Sequence, residues 1–180
     1  MNLNKILLLL FKFYDKTIRG KTLIQKRGYF LADYLEKDFG YYAHYYGPYS
    51  DEVNYALDMN CGLGFLKNSI LEYGYDQKRY EYILTKDGNE LLDFIVNKEK
   101  SITQNIEKFH NIMIKAGDDN DYNKLSYAAK VHYIFNNLEK NNDLKKIEKN
   151  ANSFGWKLSV DEIKKGLEFL SKYEEIKTSI

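Results

Sequence analysis

Cys61 is the only cysteine in this 180-residue chain, which excludes an internal disulfide and fits a reducing compartment. Beside Gly62, and with no charged neighbour in sequence, it reads as a small core residue rather than a nucleophile. Proline is equally scarce: Pro48 stands alone, so any sharp proline-directed turn has one place to be. Long apolar runs are missing too. The longest, Ile6–Phe11, ends at Lys12, is far too short to span a bilayer, and is followed by no small-residue cleavage site. It is expected to be a buried first helix, without a membrane role, in a cytoplasmic protein. The P-loop, dinucleotide and nucleophile-elbow patterns are absent. His44, His110 and His132 stand far apart, and none is at metal-ligand spacing from another His or Cys. No catalytic residue, cofactor or metal is therefore expected.

Tyrosine is abundant, with 17 Tyr and 10 Phe against one Trp. A tyrosine packs its ring while its hydroxyl stays wet, which suits half-buried surfaces and interfaces. Charge is nearly balanced overall, at +1, but segregated. Lys5, Lys12, Lys16, Arg19, Lys21, Lys26 and Arg27 face only Asp15 within residues 1–30. The following thirty residues reverse the sign, with Asp33, Glu36, Asp38, Asp51, Glu52 and Asp58 against Lys37. Such a dipolar surface fits a polyanion or a mixed-charge protein, and also arises without any partner.

Apolar spacing predicts a first helix over Leu3–Tyr14 and a second from Thr22, with Gln25 completing a capping-box pattern. Leu23, Ile24, Phe30, Leu31, Tyr34 and Leu35 then face the core, while Gln25, Lys26, Asp33, Glu36 and Lys37 fall on the wet side. Asp38-Phe39-Gly40 closes that helix. Tyr41–Tyr46 reads as a short strand, Gly47-Pro48 as a turn, and Ser50 as the N-cap of a third helix reaching about Asn60. Asp51 and Glu52 suit that helix's first turn. Ser69–Tyr73 and Tyr80–Leu84 flank a polar stretch as a β-hairpin does, and Thr85 leads into another helix. Beyond it, Ile102–Ile114, Leu125–Leu138, Leu144–Phe154 and a last helix capped by Ser159 and Glu162 are expected, with Gly117–Asp121 as an exposed acidic turn. The fold class is α+β, mainly α. A winged-helix-like core over residues 1–99, with the hairpin as its wing, carries a helical extension over 100–180 packed on it as one unit.

Gln25-Lys26, Tyr29-Phe30-Leu31 and Tyr46-Gly47-Pro48-Tyr49-Ser50 are similar to motifs of the YwgA-like proteins, and more distantly to Panacea (SocA-like) antitoxin domains. Trp156-Lys157-Leu158-Ser159 with Glu162-Ile163 resembles the end of YwgA-like chains. Arg27-Gly28 departs from the pattern, standing where apolar residues are expected. The resemblance implies a compact winged-helix-like module without an established reaction, used in the antitoxin relatives to hold another protein in check.

Two functional readings follow. Tyr41, Tyr42, Tyr45, Tyr46 and Tyr49 fall within nine residues, and alternation along a strand prevents a core from absorbing them all. Tyr42, Tyr46 and Tyr49, with Asp51 and Glu52, are candidate contacts for a protein partner; the plainer alternative has Tyr46 and Tyr49 shaping the turn against the second helix. The competing reading is a winged-helix regulator holding duplex DNA through Lys26, Arg27, Lys78 and Arg79. Against it, the third helix carries Asp51, Glu52 and Asp58 and no cation, and the four basic residues also suit an ordinary solvated face. The amphipathic C-terminal helices leave room for a homodimer without demanding one.

Overall fold

A computed structural model describes residues 2–73, 77–138 and 140–179. The chain is α+β, mainly α. Helix α1 (Leu3–Phe13) buries every residue from Ile6 to Phe11, because a short run of leucines with no polar face is stable only when surrounded. Asp15 and Lys16, both at positive φ, reverse the chain into β1 (Thr17–Arg19). Helix α2 (Lys21–Tyr34) follows, then β2 (Tyr41–His44), β3 (Gly47–Ser50) and α3 (Asp51–Gly62). Strands β4 (Leu66–Tyr73) and β5 (Gln77–Leu84) lead to α4 (Lys86–Lys98), α5 (Lys100–Ala116), α6 (Tyr122–Asn137), α7 (Leu144–Ser153) and α8 (Val160–Thr178).

The strands form two antiparallel units. In the first the order is β1-β5-β4, with Ile18 opposite Tyr82 and the β4–β5 ladder reaching Tyr73 opposite Gln77. The second is the β2–β3 hairpin, from Tyr41 opposite Ser50 to His44 opposite Gly47.

Local signals set several helix starts. The Ser50 hydroxyl accepts from the Val53 amide at 3.0 Å, Thr85 caps Gly88, and Ser159 with Glu162 forms a full capping box. Thr22 and Gln25 do not form theirs. Helix α2 starts at Lys21 with Gly20 as its N-cap, which has no side chain to offer, and the Gln25 amide is engaged with Ser50. The helix also ends earlier than expected, at Tyr34, with Glu36 at positive φ; Gly40 (φ 66°) instead shapes the loop into β2.

Nor do Gly47 and Pro48 make the turn. The chain reverses at Tyr45-Tyr46, and Gly47 and Pro48 belong to β3. Gly47 (φ 101°) joins the two-residue turn to its strand, and Pro48, with no amide hydrogen, is tolerated because this two-stranded unit is all edge.

The C-terminal helices lie against the N-terminal elements. Helix α6 packs on α2, β3 and α8, while α5 packs on α1 and α8. Gly166 allows the close α6–α8 approach: a methyl there would sit 3.0 Å from the Tyr127 carbonyl oxygen.

Candidate functional site

Two polar clusters meet on α2. The first begins with Gln25, Lys26 and Arg27, which are 2%, 2% and 0% exposed. Consecutive helical residues point about 100° apart. Burying all three therefore requires structure on several sides of α2.

Gln25 lies along the backbone of Ser50. Its Nε2 donates to the Ser50 carbonyl at 2.9 Å, and its Oε1 accepts from the Ser50 amide at 3.0 Å. Lys26 Nζ donates to the Pro48 carbonyl at 2.8 Å. Burial, aided by the nearby Lys130 charge, pushes the Lys26 amine down to about 7.

Arg27 turns toward the α5–α6 connection and forms a bidentate pair with Asp118, both bonds at 2.8 Å. Asn120 Oδ1 accepts a third bond, and the guanidinium stacks 3.6 Å from the Tyr14 ring centroid. The Tyr14 hydroxyl donates to Asp118 as well; burial, then the carboxylate, raises that phenol.

Several sequence expectations change here. Gln25 and Lys26 are not on a wet face, and the Gly117–Asp121 turn is not wholly exposed, since Asp118 is 4% exposed. Lys26 and Arg27 cannot serve as phosphate contacts, because both side chains are committed inside the protein. The side chains of Lys78 and Arg79 lie outside the described residues, although the backbone places both on β5. The departure at Arg27-Gly28 also has its reason. The Tyr41 hydroxyl donates to the Gln25 carbonyl at 2.8 Å, and a methyl on Gly28 would lie 2.6 Å from the Tyr41 hydroxyl oxygen.

These contacts hold the base of the β2–β3 hairpin. Trp156 holds its other end, donating from Nε1 to the His44 carbonyl at 2.6 Å. The segments Gln25-Lys26, Tyr46–Ser50 and Trp156–Ser159 thus meet in space.

On the hairpin, Tyr41 and Ala43 turn inward while Tyr42 and His44 turn out. Tyr49 lies beneath them, its ring 6.1 Å from Tyr42 and 5.0 Å from His44. Tyr45 and Tyr46 meet edge to face at the tip and are 75% and 66% exposed. Tyr46 and Tyr49 border a pocket of about 130 Å³ with Lys21, Lys26 and His44. The Tyr42 hydroxyl reaches Asp51 at 3.2 Å, and Asp51 and Glu52 line a shallow depression of about 460 Å³ with Tyr55. Tyr42, Tyr49 and Asp51 are therefore neighbours at the start of α3, with Glu52 next in its first turn, whereas Tyr46 stands at the far end of the hairpin.

The second cluster was not visible in the sequence. Asp33 (α2), His132 (α6) and Glu174 (α8) converge at a cleft of about 550 Å³, with Asn136, Lys140 and Lys177 on its walls. His132 is 6% exposed; its Nδ1 lies 2.9 Å from the Tyr29 hydroxyl and 3.3 Å from the Asn136 amide nitrogen. Its Nε2 faces Asp33 Oδ1 at 3.7 Å and Glu174 Oε1 at 3.6 Å. The other Asp33 oxygen accepts from the Tyr173 hydroxyl at 2.9 Å and from Lys177 at 2.7 Å. His132, then Lys177, lowers the Glu174 carboxyl against the effect of burial; burial, then Asp33, raises the Tyr173 phenol. Helical spacing put Asp33 on a polar face but carried no sign of residues so distant in sequence.

The fold and these clusters define a mainly helical α+β chain with an aromatic hairpin and a polar cleft. Over 78 residues it is 36% identical to the uncharacterized protein YwgA of Bacillus subtilis (strain 168), which supports a YwgA-like relationship. That stretch covers 42% of this chain and 46% of YwgA, less than half of either. No protein-family profile matches the chain, and no solved structure matches it. Among the described residues, no helix is long and apolar enough to cross a membrane.

Proposed function

We propose that this chain is a non-enzymatic, cytoplasmic regulatory module whose β2–β3 hairpin and α3 start grip a basic segment of a partner protein. The observation that supports it is the exposure of Tyr45 and Tyr46 on a rigid base. Large aromatics held out in water on a firm support offer contact area at little entropic cost. The base is firm because Gln25, Lys26 and Trp156 each bond the hairpin backbone from inside.

Charge selects the partner. Asp51, Glu52 and Asp58 are exposed on α3, which carries no Lys or Arg, so an Arg- or Lys-rich segment complements the face. The element order, with β1 on the β4–β5 hairpin, supports a winged-helix-like reading of residues 1–99. In that reading the acidic α3 occupies the position of the helix that enters the negatively charged major groove in DNA-binding winged helices. The distant likeness to Panacea antitoxin domains supports a role in restraining the bound protein.

The test pairs capture with stability. Immobilised wild-type chain, a Tyr45→Ala, Tyr46→Ala variant and an Asp51→Lys, Glu52→Lys variant are compared for protein retention, with thermal midpoints measured alongside. Both variants should lose the retained protein while melting within about 3 °C of wild type. Tight, steeply salt-dependent binding of random duplex DNA by the wild type would overturn the reading in favour of a DNA regulator.

A further inference from the structure

The cleft beside α2 is independent of the hairpin face, and its chemistry differs. Its three groups come from three helices far apart in sequence, and all three ligand atoms lie within 4.8 Å of one another. We propose that Asp33 Oδ1, His132 Nε2 and Glu174 Oε1 form a binding site for one divalent transition-metal ion of the zinc, cobalt or manganese kind.

The spacing supports an ion better than a set of direct bonds. Gaps of 3.7 and 3.6 Å from Nε2 to the two carboxylates are too long for hydrogen bonds. Two ligands each about 2.1 Å from one ion sit about 3.4–3.6 Å apart when they subtend about 110–120° there. Glu174 is 40% exposed on its side chain, so it can close onto the ion without disturbing the core.

The surrounding groups act as supports for such ligands. A metal-bound imidazole carries its proton on the second nitrogen and needs an acceptor there, and the Tyr29 hydroxyl, 2.9 Å from His132 Nδ1, can accept it. A ligating carboxylate is steadied through its other oxygen, and Tyr173 and Lys177 steady Asp33. The imidazole favours a transition ion over calcium or magnesium, which prefer all-oxygen shells. The cleft of about 550 Å³ gives the ion an entry path and room for water on its outer side. Two carboxylates face Lys177 and Lys140 across the cleft, so ligand geometry rather than an excess of negative charge would select the ion. With all three ligands in place, the ion would tie α2 to α6 and α8.

The full chain, stripped with chelator, is titrated with Co²⁺ while visible absorption is read, and Zn²⁺ is then added in competition. One equivalent of Co²⁺ should give ligand-field bands that Zn²⁺ abolishes, and Zn²⁺ should raise the thermal midpoint. Glu174→Gln, a substitution at a partly exposed carboxylate, should weaken binding at least tenfold with its metal-free midpoint near that of wild type. His132→Gln should abolish the bands. No bands with millimolar Co²⁺, or bands of unchanged affinity in Glu174→Gln, would overturn the site.

Discussion

Helix α2 carries two polar clusters that differ in how tightly they are closed, although Arg27 Nη1 in the closed one has no hydrogen-bond partner. Gln25, Lys26 and Arg27 reach the Ser50 backbone, the Pro48 carbonyl and Asp118 at 2.8–3.0 Å, and water is excluded. Less than three turns further on, His132 Nε2 faces Asp33 and Glu174 across gaps wider than a hydrogen bond, at the wall of an open cleft. Buried polar groups with bonded partners act as fasteners, since breaking one leaves the other unpaired. Polar groups held apart beside a cavity have capacity left for a ligand. Polarity is similar in both; closure separates a joint from a site.

The closed cluster should break hardest. Asp118→Ala leaves Arg27 charged and unpaired in the interior, and should cost about 3–5 kcal/mol in denaturant unfolding. Replacing the pair together, with Arg27→Met and Asp118→Leu, should recover much of that loss; no recovery would mean that Asn120 and Tyr14 matter more than the ion pair.

A smaller effect is expected where α2 meets the hairpin. Gly28→Ala forces a methyl toward the Tyr41 hydroxyl and should cost about 1–3 kcal/mol. Combining it with Tyr41→Phe removes the obstructing oxygen and should return part of the stability. Additive losses in the double variant would show that the two residues do not collide.

Lys26 makes the comparison dependent on pH. Its folded amine titrates at about 7, against an ordinary 10.5, so between these values the unfolded chain binds more protons. Stability should therefore rise with pH above 7, by at most about 1.4 kcal/mol per unit. The rise should stop near pH 10, where unfolded tyrosines ionise while Tyr29 and Tyr173, raised by burial, stay protonated. Lys26→Met should flatten the rise between pH 7 and 9; an unchanged slope would place its cause elsewhere.

The smallest change in stability belongs to the hairpin tip. Tyr45→Ala with Tyr46→Ala removes exposed rings and should shift unfolding by no more than about 0.5 kcal/mol. A larger loss would make the tip part of the fold rather than a contact surface.

Much of the architecture was legible residue by residue. Ser50, Thr85 and the Ser159–Glu162 pair cap helices as their local patterns suggest, and Ile6–Phe11 is buried as an apolar run must be. Alternation on the first hairpin strand correctly required that some of its tyrosines stay outside the core. The turn was misplaced because Gly47 and Pro48 carry strong turn preferences, whereas the ladder with Tyr41–His44 puts both in a strand. Arg27-Gly28 looked like a break in a motif until Tyr41 and Asp118, neither adjacent in sequence, explained both residues.

By itself, then, the sequence determined what depends on neighbours within about one helical turn: helix starts, apolar faces and the α+β, mainly α class. Only the tertiary structure decided the fate of the polar residues. Whether Lys26, Arg27 or Asp118 meets water depends on partners tens of residues away, since a polar side chain is buried only where such a partner satisfies it. The same holds for Asp33, His132 and Glu174. Each lies on its own helix with no local sign of the others, and the packing of α2, α6 and α8 brings them to one cleft.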